Sequence, residues 1–210
     1  MNHLATLDAA AALPQTLYDA QNLITHLRAQ LHALQALALT DPLTGVANRR
    51  AFEDRLAAAF AHARRTDKPL AVAVLDLDNF KARNDTFGHA AGDRCLRHLA
   101  AQLTAHTRGA DTVARIGGEE FAIILPNTRQ NAAVDLCQRI ANTLRHGCCP
   151  DAVLTFSAGV AELDATMLHP ATIVDNADRA MYAAKQAGKD RVAVHKPTFR
   201  RAIVSIERKA

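Results

Sequence analysis

The residues best suited to chemistry are carboxylates placed where apolar runs stop. Leu70-Ala71-Val72-Ala73-Val74-Leu75 suits a buried central strand, and it breaks off in Asp76-Leu77-Asp78. A second such place is Arg115-Ile116-Gly117-Gly118-Glu119-Glu120-Phe121, a glycine pair and a glutamate pair between the strand-like runs 112–116 and 121–125. Gly117-Gly118 reads as the two-residue turn of a β-hairpin with carboxylates at its exit. Successive strand residues face opposite sides, so one of Glu119 and Glu120 is presented to a ligand and the other is turned away. Two buried strands that each end in a carboxylate suggest one site. Taken alone, the acids read more simply as a solvated loop rim or as partners of Arg115.

The elements that must position these acids are legible from periodicity. Leu17, Ile24, Leu31 and Ala38 recur every seven residues with Leu27 and Leu34 interleaved, about three heptads of a coiled-coil seam, although Leu23 and Leu37 lie off it. The seam predicts self-association; a helix packed on its own domain is the alternative. Pro42 stops that helix. Asn48 is placed to cap a helix buried through Phe52, Leu56, Ala59, Phe60 and Ala63. Asp78 reads as the N-cap of a short helix starting at Asn79. Leu96, Leu99, Ala100 and Leu103 give the buried face of a helix beginning near Gly88-His89. A further helix starts at Asn127 or Thr128, is buried through Ala133, Leu136, Cys137, Ile140 and Leu144, and ends at Gly147. Residues 153–161 form a strand, Pro170 opens a last helix closed at Gly188, and 191–194 form a final strand. Strands alternating with helices around one antiparallel hairpin predict an α/β sandwich.

Together these stretches resemble the GGDEF family of diguanylate cyclases, here in its GGEEF form. The resemblance runs from about Thr40 to Val194 and rests on several motifs in order. They are Asp41-Pro42-Leu43-Thr44-Gly45-Val46-Ala47-Asn48-Arg49-Arg50, Asp76-Leu77-Asp78-Asn79-Phe80-Lys81, Asn84-Asp85-Thr86-Phe87-Gly88-His89-Ala90-Ala91-Gly92-Asp93, the hairpin, and Ala183-Ala184-Lys185-Gln186-Ala187-Gly188-Lys189. It implies a mostly antiparallel central sheet wrapped by helices, like the palm of nucleotide cyclases and polymerases, preceded by an N-terminal helix. The expected division is a tail and coiled-coil-like helix over 1–39, the catalytic domain over 40–195 and a basic tail over 196–210.

The resemblance implies a cyclase that joins two GTP molecules into cyclic di-GMP and releases two pyrophosphates, each protomer of a homodimer holding one GTP. Asp76 and Glu119 match the family's metal-binding carboxylates, and the backbone carbonyl of Leu77 matches its third protein ligand. Carboxylates facing a triphosphate call for divalent cations between them, so two Mg2+ per site are expected, with Mn2+ as a substitute. Glu119 also matches the residue proposed to help deprotonate the attacking hydroxyl, and Lys81 the residue that stabilises charge on the phosphates. Asn84 and Asp93 match the guanine-reading pair: a carboxylate accepts from N1–H and N2–H2 together, and an amide both donates and accepts. Lys185 and Lys189 match phosphate contacts, although the family more often has arginine then asparagine where Lys189 and Asp190 stand. Arg108 and Asp111 match an inhibitory site for the product cyclic di-GMP. Arg139 is a secondary contact there or a solvated arginine.

Bulk properties set the remaining limits. The chain has 210 residues, 49% of them hydrophobic, yet no apolar run approaches the roughly 20 residues of a spanning helix. Without a basic start and apolar h-region, the expected location is the cytoplasm. Cys95 and Cys137 sit on apolar helix faces, and Cys148-Cys149 lack ligand spacing, so all four cysteines read as reduced and structural. The net charge of +4 is not gathered into a stripe, and aromatic residues make up only 4%, which excludes nucleic acid as a partner.

Overall fold

Why the carboxylates meet follows from the sheet. The computed structural model describes residues 18–28, 30, 39–146 and 153–196. Six strands form one mixed sheet in the order β1-β3-β4-β2-β5-β6. They are β1 (Ala47–Asn48), β2 (Leu70–Leu77), β3 (Thr112–Arg115), β4 (Glu120–Pro126), β5 (Phe156–Glu162) and β6 (Val192–Val194). The three central pairings, β3–β4, β4–β2 and β2–β5, are antiparallel; the edge pairings β1–β3 and β5–β6 are parallel. The helices are α1 (Arg49–Thr66), α2 (Phe80–Phe87), α3 (His89–His106), α4 (Gln130–His146) and α5 (Pro170–Gln186). None among the described residues is long and apolar enough to cross a membrane.

β2 is buried over its whole length because both of its faces are covered. Leu70, Val72 and Val74 pack with Phe52, Leu56 and Phe60 of α1 and Ile173, Ala177 and Met181 of α5. Ala71, Ala73, Leu75 and Leu77 face the other way, toward Leu96, Leu99 and Leu103 of α3 and Cys137, Ile140 and Leu144 of α4. Asp76 therefore lies on the α1/α5 side of the sheet. α5 comes down closely on β5, since a Cβ on Gly159 would collide with the backbone of Ala177 and Met181.

Asn48 caps α1 as expected, its Oδ1 accepting from the Ala51 amide at 3.0 Å, and the expected buried positions are buried except Ala59. Several boundaries differ. α4 begins at Gln130 rather than Asn127 or Thr128, because Asn127 is left-handed (φ 54°) and the Gln130 amide is capped by Glu162 of β5 at 2.8 Å. That acceptor comes from a remote strand, which no local pattern reveals. β5 starts at Phe156, three residues later than expected, and the two-residue strand β1 was not anticipated. Asp78 is not a helix cap: α2 follows a left-handed Asn79 that makes no side-chain cap, and the Asp78 carboxylate turns to β5. Cys95 and Cys137 are free and buried, and burial pushes the Cys137 thiol up to about 12. Cys148, Cys149, Gly147 and the heptad residues Leu17, Leu31, Leu34, Leu37 and Ala38 lie outside the described residues.

Residues 18–28 are helical, and Tyr18, Leu23, Ile24 and Leu27 on that segment are exposed.

Candidate active site

The turn that carries Glu119 is one residue longer than the glycine pair suggested. Arg115 pairs with Phe121, and the amides of Ile116 and Gly117 both donate to the Glu120 carbonyl, at 2.9 and 3.3 Å. Gly117, Gly118 and Glu119 thus form the loop, and neither glycine is left-handed as a two-residue hairpin turn would require. Gly117 is needed for space, because a Cβ there would run into the Glu120 carboxylate. Two consequences correct the alternation argument. Glu119 is a loop residue, tied to the end of β2 by its carbonyl, which accepts from the Leu77 amide at 3.3 Å. Glu120 is the cross-strand partner of Asp76, so the two share a face of the sheet. Glu120 is therefore not turned away from the acidic site, and it joins Asp76 and Glu119 as an acid that sequence reasoning missed. Knowing the loop length would have found it.

The loop is gripped from behind. Arg115 donates to the Gly118 carbonyl through Nη2 at 2.7 Å, and its Nη1 pairs with Asp41 at 3.1 Å, so its partner is Asp41 and neither of the site acids. Arg49 donates to the Ile116 carbonyl at 2.7 Å. Asp41 also accepts from the amide and hydroxyl of Thr44, at 2.9 and 2.6 Å. Burial works to raise the Asp41 carboxyl, but the bonds from Thr44 and Arg115 outweigh it and hold the group below its ordinary value.

Asp76 is only 5% exposed and is met by Lys185 of α5, whose Nζ stands 2.8 Å from Oδ2. Burial first, and then the charge of Asp76, raise the Glu119 carboxyl; Lys185 opposes this and Glu120 adds to it. Such crowding of negative charge suits a divalent cation. Among the described residues no three His, Cys, Asp or Glu side chains are grouped closely enough to hold a metal alone. A hard cation held by two carboxylates, the Leu77 carbonyl and ligand oxygens fits this donor set, and Mg2+ is commonly bound that way.

Beside Glu119 opens a cavity of about 460 Å3 lined by Lys81, Asn84 and Asp85 of α2, His89, Asp93 and Leu96 of α3, and Phe80, Arg115, Gly118 and Glu119. Asn84 and Asp93 meet in it although they sit on different helices. Gly92 makes this possible, since a Cβ there would strike the Asn84 side chain. The Asn84 Oδ1 is buried without a hydrogen-bond partner, a cost of about 1–3 kcal/mol that a donor on a ligand would relieve. Lys189 lies in the turn after α5, where its Nζ donates to Asn79 Oδ1 at 2.6 Å. Arg108 and Asp111 are held together by the Arg108 amide on Asp111 Oδ2 at 2.8 Å, and both line a separate cavity of about 390 Å3 with Thr40, Gly45, Arg55 and Thr107. Arg139 is exposed on α4 and does not line that cavity.

A family profile described as "Diguanylate cyclase, GGDEF domain" matches residues 38–191. The chain belongs to the GGDEF domain family. It is 40% identical over 182 residues to diguanylate cyclase DgcP of Pseudomonas aeruginosa, covering 84% of this chain and 26% of the relative. It is 38% identical over 173 residues to the probable diguanylate cyclase DgcC of Escherichia coli, covering 81% of this chain and 47% of the relative. The GGDEF chain thus spans less than half the length of these curated relatives. Its fold is similar to the coiled coil and GGDEF domain of DgcB from Caulobacter crescentus, solved in complex with c-di-GMP: TM-score 0.80 at 32% identity, over 87% of this chain and 99% of that one. The active GGEEF domain of a Vibrio cholerae diguanylate cyclase is also similar, at TM-score 0.68 and 34% identity over 71% of this chain and 97% of that one.

Proposed function

We propose that this GGDEF domain is a diguanylate cyclase that condenses two GTP molecules into cyclic di-GMP and releases two pyrophosphates. The observation that carries the reading is the cavity in which Asn84, Asp93, Lys81 and Glu119 converge, with the Asn84 Oδ1 buried and unpartnered. A guanine edge is the complement of that pair: Asp93 accepts from N1–H and N2–H2, and the Asn84 amide donates and accepts. Adenine offers no such donor pair, so GTP is selected.

Asp76, the Leu77 carbonyl and Glu119 would hold Mg2+, or Mn2+ in its place, and the bound cations would neutralise triphosphate charge and activate the attacking hydroxyl. Lys81, at the start of α2, and Lys185, against Asp76, place ammonium groups where negative charge grows on the phosphates. In each half-reaction a new bond forms between a 3′-oxygen and the α-phosphorus of the other GTP. The bond from that phosphorus to the β-phosphate side breaks, and pyrophosphate leaves. The hydroxyl proton goes to Glu119, which lines the cavity beside Lys81 and Asn84 and which the family resemblance implies as its acceptor.

One site holds one nucleotide, so ring closure needs two protomers facing across a two-fold axis. The exposed apolar side chains of residues 18–28 support pairing through the N-terminal helix. The Arg108/Asp111 cavity supports inhibition by the product, since arginine grips a guanine edge or phosphate and aspartate a Watson–Crick edge. The expected location is the cytoplasm.

Chromatography of nucleotides after incubation with GTP and Mg2+ tests the reading. Wild-type protein yields cyclic di-GMP, and Glu119→Ala yields none while its circular dichroism is unchanged. Turnover near wild type in that variant overturns it. Added product in the same assay reads the inhibitory cavity.

A further inference from the structure

Asp78 is two residues beyond the metal-type aspartate, yet its carboxylate is fully engaged away from the cavity. Its Oδ1 accepts from the Ser157 hydroxyl at 2.7 Å; its Oδ2 accepts from the Thr155 hydroxyl at 2.9 Å and the Asp190 backbone amide at 3.0 Å. The Asp78 amide in turn donates to the Thr155 carbonyl at 3.0 Å. One carboxylate therefore joins the end of β2, the start of β5 and the turn between α5 and β6.

That turn is strained. Gly188, Lys189 and Asp190 are successively left-handed at φ 112°, 62° and 47°, and Asn79 opposite them is left-handed at 57°. Left-handed backbone costs a non-glycine residue about 1 kcal/mol or more, so side-chain contacts must hold it. Asp78 grips the Asp190 amide. From the other side, Arg145 of α4 forms a forked pair with the Asp190 carboxylate, at 3.0 Å through Nε and 2.7 Å through Nη2. The bond to Asp190 first, and then its charge, push the Arg145 guanidinium further up. The turn so held carries Lys189, whose Nζ stands on Asn79 just beyond the end of β2.

We propose that Asp78 is a positioning residue that acts through Lys189, clamping the strained 188–190 turn to the end of β2, and that the Arg145–Asp190 pair is the second jaw of the clamp. The inference deepens the cyclase reading and rests on it. An aspartate at 190 has a reason under this scheme, because only a carboxylate can take both arms of Arg145 as a charged fork.

Steady-state kinetics with GTP and Mg2+ test it on wild type, Asp78→Asn, Lys189→Ala, Arg145→Ala and the double variants that combine Lys189→Ala with each of the other two. Asp78→Asn removes the negative charge that the Ser157 and Thr155 hydroxyls and the Asp190 amide donate to, and so weakens the grip. The expected change is a rise in the KM for GTP of roughly tenfold, the size of one charge-assisted hydrogen bond, with kcat within about twofold. Arg145→Ala is expected to raise KM roughly threefold, about half the free energy of the tenfold rise. Because both act through Lys189, each double variant should be no worse than its larger single variant. Additive effects in the double variants, or a fall in kcat at constant KM, overturn the inference. If Asp78→Asn fails to fold, the Arg145 and Lys189 cycle decides in the same way. Wild-type protein that forms no product overturns the cyclase reading and this inference with it; active wild type with additive variants overturns this inference alone.

Discussion

Glu119 carries two burdens that pull in opposite directions. In the proposed cyclase it must be charged to hold a cation or take a proton, yet partial burial and the charge of Asp76 lift its carboxyl above the ordinary 4.5. A raised carboxyl means that the folded state disfavours the charged form. The penalty is therefore fully present above the folded value, and it disappears as the pH falls below 4.5. Glu119→Gln should melt about 2 °C higher than wild type at pH 7 and show no gain near pH 4, although the proposed mechanism expects it to lose activity. Thermal melts at both pH values without divalent cations check this; a lower melting point at pH 7 contradicts it.

At the scale of elements, the loop bearing Glu119 is positioned by residues far away in the chain. Arg115 reaches to the Gly118 carbonyl and across to Asp41, 74 residues earlier in the chain. Asp41 has a lowered carboxyl, so its contribution is present above the ordinary 3.8 and is lost as the pH falls through the folded value. Asp41→Asn should lower the melting point by about 2–4 °C at pH 7, a gap that closes on acidification below 3.8. Its kcat should also fall, because the loop bearing Glu119 loses its brace. Equal melting points at pH 7 would dismiss the brace.

Among the described residues one sheet carries a helical layer on each face, and residues 18–28 form a helical segment earlier in the chain. That segment leaves Ile24 and Leu27 about half exposed, at 50% and 53%. An apolar helix face of this kind is covered when two copies pair. Ile24→Lys combined with Leu27→Lys should give a particle of monomer mass by light scattering. Its specific activity should rise with protein concentration, since in the proposed mechanism two half-sites must then meet by collision. An unchanged mass and a rate independent of concentration would place the pairing elsewhere.

By itself the sequence determined the alternation of strands and helices and most buried positions of the described long helices, and it pointed to Lys81, Asn84, Asp93 and Glu119, which the fold brings to one cavity. Those signals are local: a period of two or 3.6, or a run of motif residues, survives without knowing what lies opposite. Only the tertiary structure decided the three-residue loop that puts Glu120 beside Asp76, the turn of Asp78 from helix cap to clamp, and the start of α4 under Glu162. For Asp78 and for α4 the deciding hydrogen-bond partner comes from a strand remote in sequence, and it is pairing with the distant β2 that sets Glu120 opposite Asp76. A chain read in order cannot weigh a bond whose other half lies about 30–80 residues away.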